Sequence, residues 1–144
     1  MNIDYEQVKV GDELPAFTTD AISRHTLALY CGASNDHNPI HVDIDFARRA
    51  GMPDVFAHGM LSMAWLGRLL TNWVDQRALR GLGVRFIAIT HVGDRITCRG
   101  RVTQKLEQDG ERRLRLEVST VDQNGEVKLS GEALVAIASK PVAK

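Results

Sequence analysis

Cysteine is scarce in this 144-residue chain, which has only two. Cys31 and Cys98 lie far apart and form no C-x-x-C pair. Neither a disulfide framework nor a cysteine-rich zinc site can be drawn from them, and reduced, buried thiols are expected. Net charge is also missing, since 18 Lys and Arg balance 18 Asp and Glu. The basic residues are scattered, so the electrostatic footprint of a nucleic-acid or anionic-membrane binder is absent. The densest basic cluster, ERRLR at 111–115, alternates with apolar residues like the solvated face of a strand. No stretch approaches the run of about 18 apolar residues that a membrane span requires. The N-terminal MNIDYEQVKVGDELP lacks the basic-then-apolar order of a secretory signal, and a cytoplasmic location is expected. There is no internal repeat, low-complexity segment or linker. The length suits one domain over 1–144.

What is present is a sequence of well-punctuated elements. LPAFTT (14–19) alternates as a short first strand. Ser23 is placed to cap a helix over RHTLALYCGA, with Leu27, Tyr30 and Cys31 at helical spacing and Gly32 near its stop. Asn38-Pro39 breaks any helix, because proline removes a donor and pushes Asn38 toward extended geometry. Asp43 or Asp45 can cap a second short helix, FARRAG, ending at Gly51. HGMLSMAWLGRLLTNWV (58–74) is apolar around nearly its whole circumference, which predicts a helix buried on all sides. Four long alternating stretches follow, at 82–90, 94–107, 112–122 and 126–138. Gly93-Asp94, Asp109-Gly110 and Asn124-Gly125 separate them, and the last two are hairpin signals. The expectation is an α+β domain in which an antiparallel meander bends around one central helix.

NDHNPIH (35–41) concentrates the acid-base groups. Asp36 and His41 are five residues apart, and a turn forced by Pro39 can bring carboxylate and imidazole toward one small molecule. An imidazole titrating near neutrality beside a tunable carboxylate suits proton removal and return. Asn38 can orient a water or a side chain. Gly59 opens the central helix, where unpaired N–H groups and the helix dipole favour negative charge, as an oxyanion requires. Other readings compete. Asp36 and Asn38 can simply cap a turn. His37 and His41 have the spacing of a helical metal pair, but Pro39 between them spoils the helix. His58 can serve as a helix-entry residue, and His25 and His91 have no partners in sequence.

YCGASNDHNPIHVDIDFARRAG followed by DVFAHGMLSMAW resembles the MaoC-like dehydratase family, the (R)-specific enoyl-CoA hydratases and related 3-hydroxyacyl-thioester dehydratases. The resemblance continues through GVRF and VGD into the C-terminal strands and covers nearly the entire chain. It implies a hotdog fold, usually dimeric, with the active site near the dimer interface. It also implies reversible hydration of trans-2-enoyl thioesters to (R)-3-hydroxyacyl thioesters, with coenzyme A or acyl carrier protein entering as part of the substrate. Asp36 and His41 match the family's catalytic pair, Asn38 the Asn between them, and Gly59 the glycine whose N–H binds the thioester carbonyl. His58 joins the substrate-binding group as the residue before that glycine. Neither a metal nor a redox cofactor is expected, because the carbonyl itself acidifies the C2 proton.

Two positions depart from the family pattern. Gly67 stands where some hydratases place a Ser nine residues after the His of H-G-M, and Ser62 is too early on the helix to take its place. IAITH fills a stretch where many members have Pro. Two rival classes share the fold: an acyl thioesterase, and a non-catalytic subunit or thioester-binding module. The spaced D-x-N-P-I-H pattern argues against the first, and the retained Asp/His pair against the second. A homodimer is expected, with a heterodimer or higher oligomer as the alternatives.

Overall fold

The computed structural model describes residues 3–138. Its elements are β1 (Phe17–Thr18), α1 (Arg24–Ser34), α2 (Ile44–Arg49), α3 (Gly59–Thr71), β2 (Leu79–Phe86), β3 (Thr97–Gln108), β4 (Glu111–Val121) and β5 (Val127–Ala136). Short 3-10 turns at Pro39–His41 and Gln76–Ala78 precede α2 and β2. All strands join one antiparallel sheet in the order β1-β3-β4-β5-β2. The α+β expectation holds, with the sheet bent around α3, which touches β2, β3 and β4.

The β3-β4-β5 meander follows the turn signals. Asp109 and Gly110 both take positive φ, 52° and 73°, as a two-residue hairpin turn demands. Register shifts between Val102 and Gln104 and between Thr120 and Val121 insert bulges, which raise local twist and help the sheet curl. β2 departs from the expected meander, pairing with β5 at the far edge rather than with β3. The segment between β2 and β3 is too long for a tight hairpin. Its Gly93-Asp94 turn docks instead on Ile22, through Gly93 N–H to Ile22 O (2.8 Å) and Ile22 N–H to Asp94 O (2.9 Å).

The helices start where their caps predict. Ser23 Oγ accepts from Thr26 N–H, and Asp43 rather than Asp45 caps α2 by accepting from Asp45 and Phe46 N–H. α1 runs past Gly32 and stops at Asn35, whose φ of 60° is the left-handed cap. α3 buries Leu61, Ser62, Leu66, Leu69 and Leu70 against the sheet. The expectation of burial on every side fails, because five strands cover only one side of the helix. Met60 is 54 % exposed and Ala64 is exposed as well, so an apolar stripe faces outward. Cys31 and Cys98 are free and buried, as expected. Burial in apolar surroundings pushes the Cys98 thiol up to about 12.

Candidate active site

The turn after α1 is built from nested side-chain caps. Ser34 Oγ accepts from Asp36 N–H (3.1 Å), Asp36 Oδ1 from Asn38 N–H (3.2 Å) and Asn38 Oδ1 from Ile40 N–H (3.1 Å). The capping reading of D-x-N-P is therefore correct, and it does not compete with the chemical one. Each carboxylate or amide oxygen that caps the turn also fixes where its remaining atoms point. Asn38 spends its oxygen locally, which leaves the amide nitrogen of this exposed residue as the end available to a ligand. Pro39 then opens the 3-10 turn that brings His41 back toward Asp36.

His41 is buried, and its Nδ1 lies 2.7 Å from Phe56 O. A carbonyl can only accept, so Nδ1 carries the hydrogen and Nε2 keeps the lone pair. His58, the N-cap residue of α3, stacks on His41 with ring centroids 3.8 Å apart and planes 25° apart. Candidate ligand atoms of Asp36, His41 and His58 all lie within 4.8 Å of one another. The fold thus brings together the expected dyad, from the turn after α1, and His58, from the start of α3. His37 and His25 are exposed and outside this cluster, and exposed His91 bridges to Phe56 through backbone only.

One carboxylate and two imidazoles are, by chemistry, a metal donor set. Their geometry is less suited. A zinc ion needs lone pairs converging at about 2.0–2.1 Å, whereas the lone pairs of these stacked rings lie in nearly parallel planes, with ring centroids 3.8 Å apart. Each imidazole also has one nitrogen committed to a backbone carbonyl, Phe56 O for His41 and Asp36 O for His58.

Gly59 is the first residue of α3, and His58 offers that helix end no side-chain cap. Its N–H is one of the first-turn donors that no helix can satisfy internally. A Cβ at position 59 would lie 2.7 Å from Phe86 Cε1, so any larger residue there must displace the Phe86 ring. Phe86 itself is 56 % exposed and stands beside the helix end. Sequence reasoning missed Phe86, together with Cys31 and Tyr30, which pack on His58. Cys31 Sγ is 3.5 Å from His58 Nε2, and the Tyr30 ring meets the imidazole edge-on at 4.8 Å. Tyr30 and Cys31 point there because α1 ends at the Asp36 turn; helical spacing alone identified them as core. At Gly67 an added Cβ would meet nothing within 4 Å, so a side chain there would enter open space.

Residues 6–124 match the profile of the MaoC like domain family. An (R)-specific enoyl-CoA hydratase of Rhodospirillum rubrum is 29% identical over 138 residues, covering 94% of this chain and 92% of that protein. The fatty acid synthase beta subunit of Saccharomyces cerevisiae is 32% identical over 85 residues, or 57% of this chain, and the match spans 4% of that subunit. The solved structure of an R-hydratase from Pseudomonas aeruginosa, unliganded, superposes with a TM-score of 0.82 at 27% identity, over 99% of this chain and 93% of that one. The hotdog expectation is met by that superposition.

Proposed function

This chain belongs to the MaoC-like domain family, and we propose from that premise that it adds water reversibly across trans-2-enoyl thioesters to give (R)-3-hydroxyacyl thioesters. The observation that carries this reading is the meeting of the Asp36 carboxylate with a His41 whose tautomer leaves Nε2 unprotonated, beside an uncapped helix end. The likeness along almost the full length of an (R)-specific enoyl-CoA hydratase supports the substrate class and the hydro-lyase chemistry.

In this mechanism a water sits between the Asp36 carboxylate and His41 Nε2. Gly59 N–H polarises the thioester carbonyl, so negative charge building on that oxygen meets a fixed donor and the positive end of α3. The water oxygen bonds to C3 and the C2–C3 π pair moves toward C2 as the enolate. The water proton passes into the dyad, and a proton returns to C2 from the same face. Because the two groups share one water, they act as a coupled unit. Asn38 helps orient the bound water or the Asp36 carboxylate. Acyl length is read by the segment around Met52 to Phe56 and by Trp65, both beside the site or on the central helix.

The working protein is an oligomer, most simply a homodimer. β2 is a long edge strand, and Phe86, Ile87, Ile89 and Met60 are exposed apolar residues close to it or on the bare face of α3. An open edge flanked by apolar surface is a liability that a second copy would cover. The test of function uses crotonyl-CoA. The conjugated enoyl-thioester absorbance should disappear without release of free thiol, and the product should be the (R) isomer. Thiol release matching substrate loss would make the protein a thioesterase instead.

A further inference from the structure

His58 is buried more completely than any other histidine in the described residues, yet it does only part of the bonding an imidazole can do. Its Nε2 lies 3.2 Å from the backbone oxygen of Asp36. Its Nδ1 is buried and has no hydrogen-bond partner in the structure. The ring is clamped on three sides: face to face by His41, edge-on by Tyr30, and by Cys31 Sγ at Nε2. A carbonyl accepts and never donates, so the proton resides on Nε2. A second proton on Nδ1 would have no acceptor and would place a charge inside the site, which burial disfavours. Burial is the main influence lowering the basicity of His58, and the neighbouring His41 charge acts in the same direction, against smaller opposing effects of Asp36.

We propose that His58 is a positioning residue for the hydration, held as a neutral Nε2–H tautomer whose single N–H fixes the Asp36 backbone while its ring fixes the plane of His41. The inference rests on the Asp36–His41 reading above and deepens it. His58 joins the two halves of the dyad, which are otherwise connected only through the Pro39 turn. As a neutral neighbour it also leaves His41 free to take up a proton without a second cation stacked on it. Asp36, His41, Cys31 and Tyr30 are the titratable groups that face it. His58 is also the N-cap residue directly before Gly59, so one residue ties the dyad to the start of α3. Ser62, one turn further along α3, has a buried Oγ that also lacks a partner. One committed donor, the free Nδ1 acceptor and an unpartnered hydroxyl thus lie inside this end of the helix.

The test separates the two nitrogens. A Gln amide nitrogen reaches about as far as imidazole Nε2, whereas an Asn amide nitrogen reaches only about as far as Nδ1. His58→Gln should keep the bond to Asp36 O and recover most of kcat. His58→Asn and His58→Phe should lose about tenfold to hundredfold in kcat with KM little changed, the penalty of misplaced reacting groups. In the unmutated protein, the nitrogen NMR spectrum should show His58 Nδ1 unprotonated and Nε2 protonated throughout the pH range of activity. Equal rates for the Gln and Asn variants, or a protonated Nδ1 in that range, would overturn the proposal. Should the Gln variant fail to fold, the spectrum decides alone. Absence of any hydration by the unmutated protein would instead overturn the functional reading, leaving the tautomer measurement still interpretable.

Discussion

Two polar clusters, each built around buried side chains, invite comparison. Where β4 turns into β5, Lys128 is 2 % exposed, with Nζ 3.6 Å from Asp122 Oδ2 and 3.4 Å from Glu126 Oε2. Asp122 Oδ1 accepts from Asn124 and Glu126 N–H, both at 2.9 Å. Lys128 O in turn accepts from Ile87 and Ala88 N–H, tying the chain after β2 to the sheet. Every charge there has a partner. Around His58 the reverse holds: His58 Nδ1 and Ser62 Oγ are buried without partners, and the Asp36 and His41 atoms that meet are not consumed by each other. Buried polar groups that are fully satisfied read as structure, whereas those left partly unsatisfied are where a native chain keeps capacity for chemistry.

The largest expected effect falls on the second cluster. Asp36→Asn and His41→Ala should each lower kcat by about a hundredfold or more, with circular dichroism and melting temperature close to those of the parent. Gly59→Ala comes next. Its methyl must push the Phe86 ring aside and crowd the N–H donor, so steady-state kinetics should show a loss of about tenfold to hundredfold. Phe86 is exposed and can swing outward, so the fold should survive.

The first cluster should respond in stability and leave the chemistry alone. Lys128→Met removes the cation facing Asp122 and should lower the melting temperature by several degrees, while activity per folded molecule is kept. Acid should imitate that substitution. Burial tends to raise the Asp122 carboxyl, but the Glu126 and Asn124 N–H groups and the Lys128 charge outweigh it and hold it below its ordinary value. A carboxylate depressed in the folded state contributes stability that is present above its unfolded value and is lost as pH falls through the folded one. The acid side of the melting profile should therefore be flatter in the Met variant. Ser62→Ala is the smallest change, within about 1 kcal/mol by denaturant titration, since the hydroxyl removed has no partner to lose.

The sequence was informative where local rules govern. Ser23, Asp43 and Asp109-Gly110 do what capping and turn chemistry require, and the D-x-N-P-I-H segment does bring Asp36 to His41. It was uninformative where distant segments decide. Nothing local in 79–86 says that β2 will cross to the β5 edge, because antiparallel pairing leaves no mark of which neighbour is chosen. Nor does the all-round apolar character of α3 reveal that one stripe, with Met60 and Ala64, remains uncovered by its own sheet. Phe86 reaches Gly59 only through that same crossover. The contacts of Tyr30 and Cys31 with His58 were hidden because a side chain that packs on such an imidazole has the same helical spacing as any core residue.

The central claim is that the site aims water at C3 of an enoyl thioester. Turnover of crotonyl-CoA in heavy-oxygen water, followed by mass spectrometry of the product, tests it most directly. The account predicts one heavy oxygen on the C3 hydroxyl of an intact thioester, and none at the carbonyl carbon. Heavy oxygen in a free carboxylate, with coenzyme A released, would contradict it.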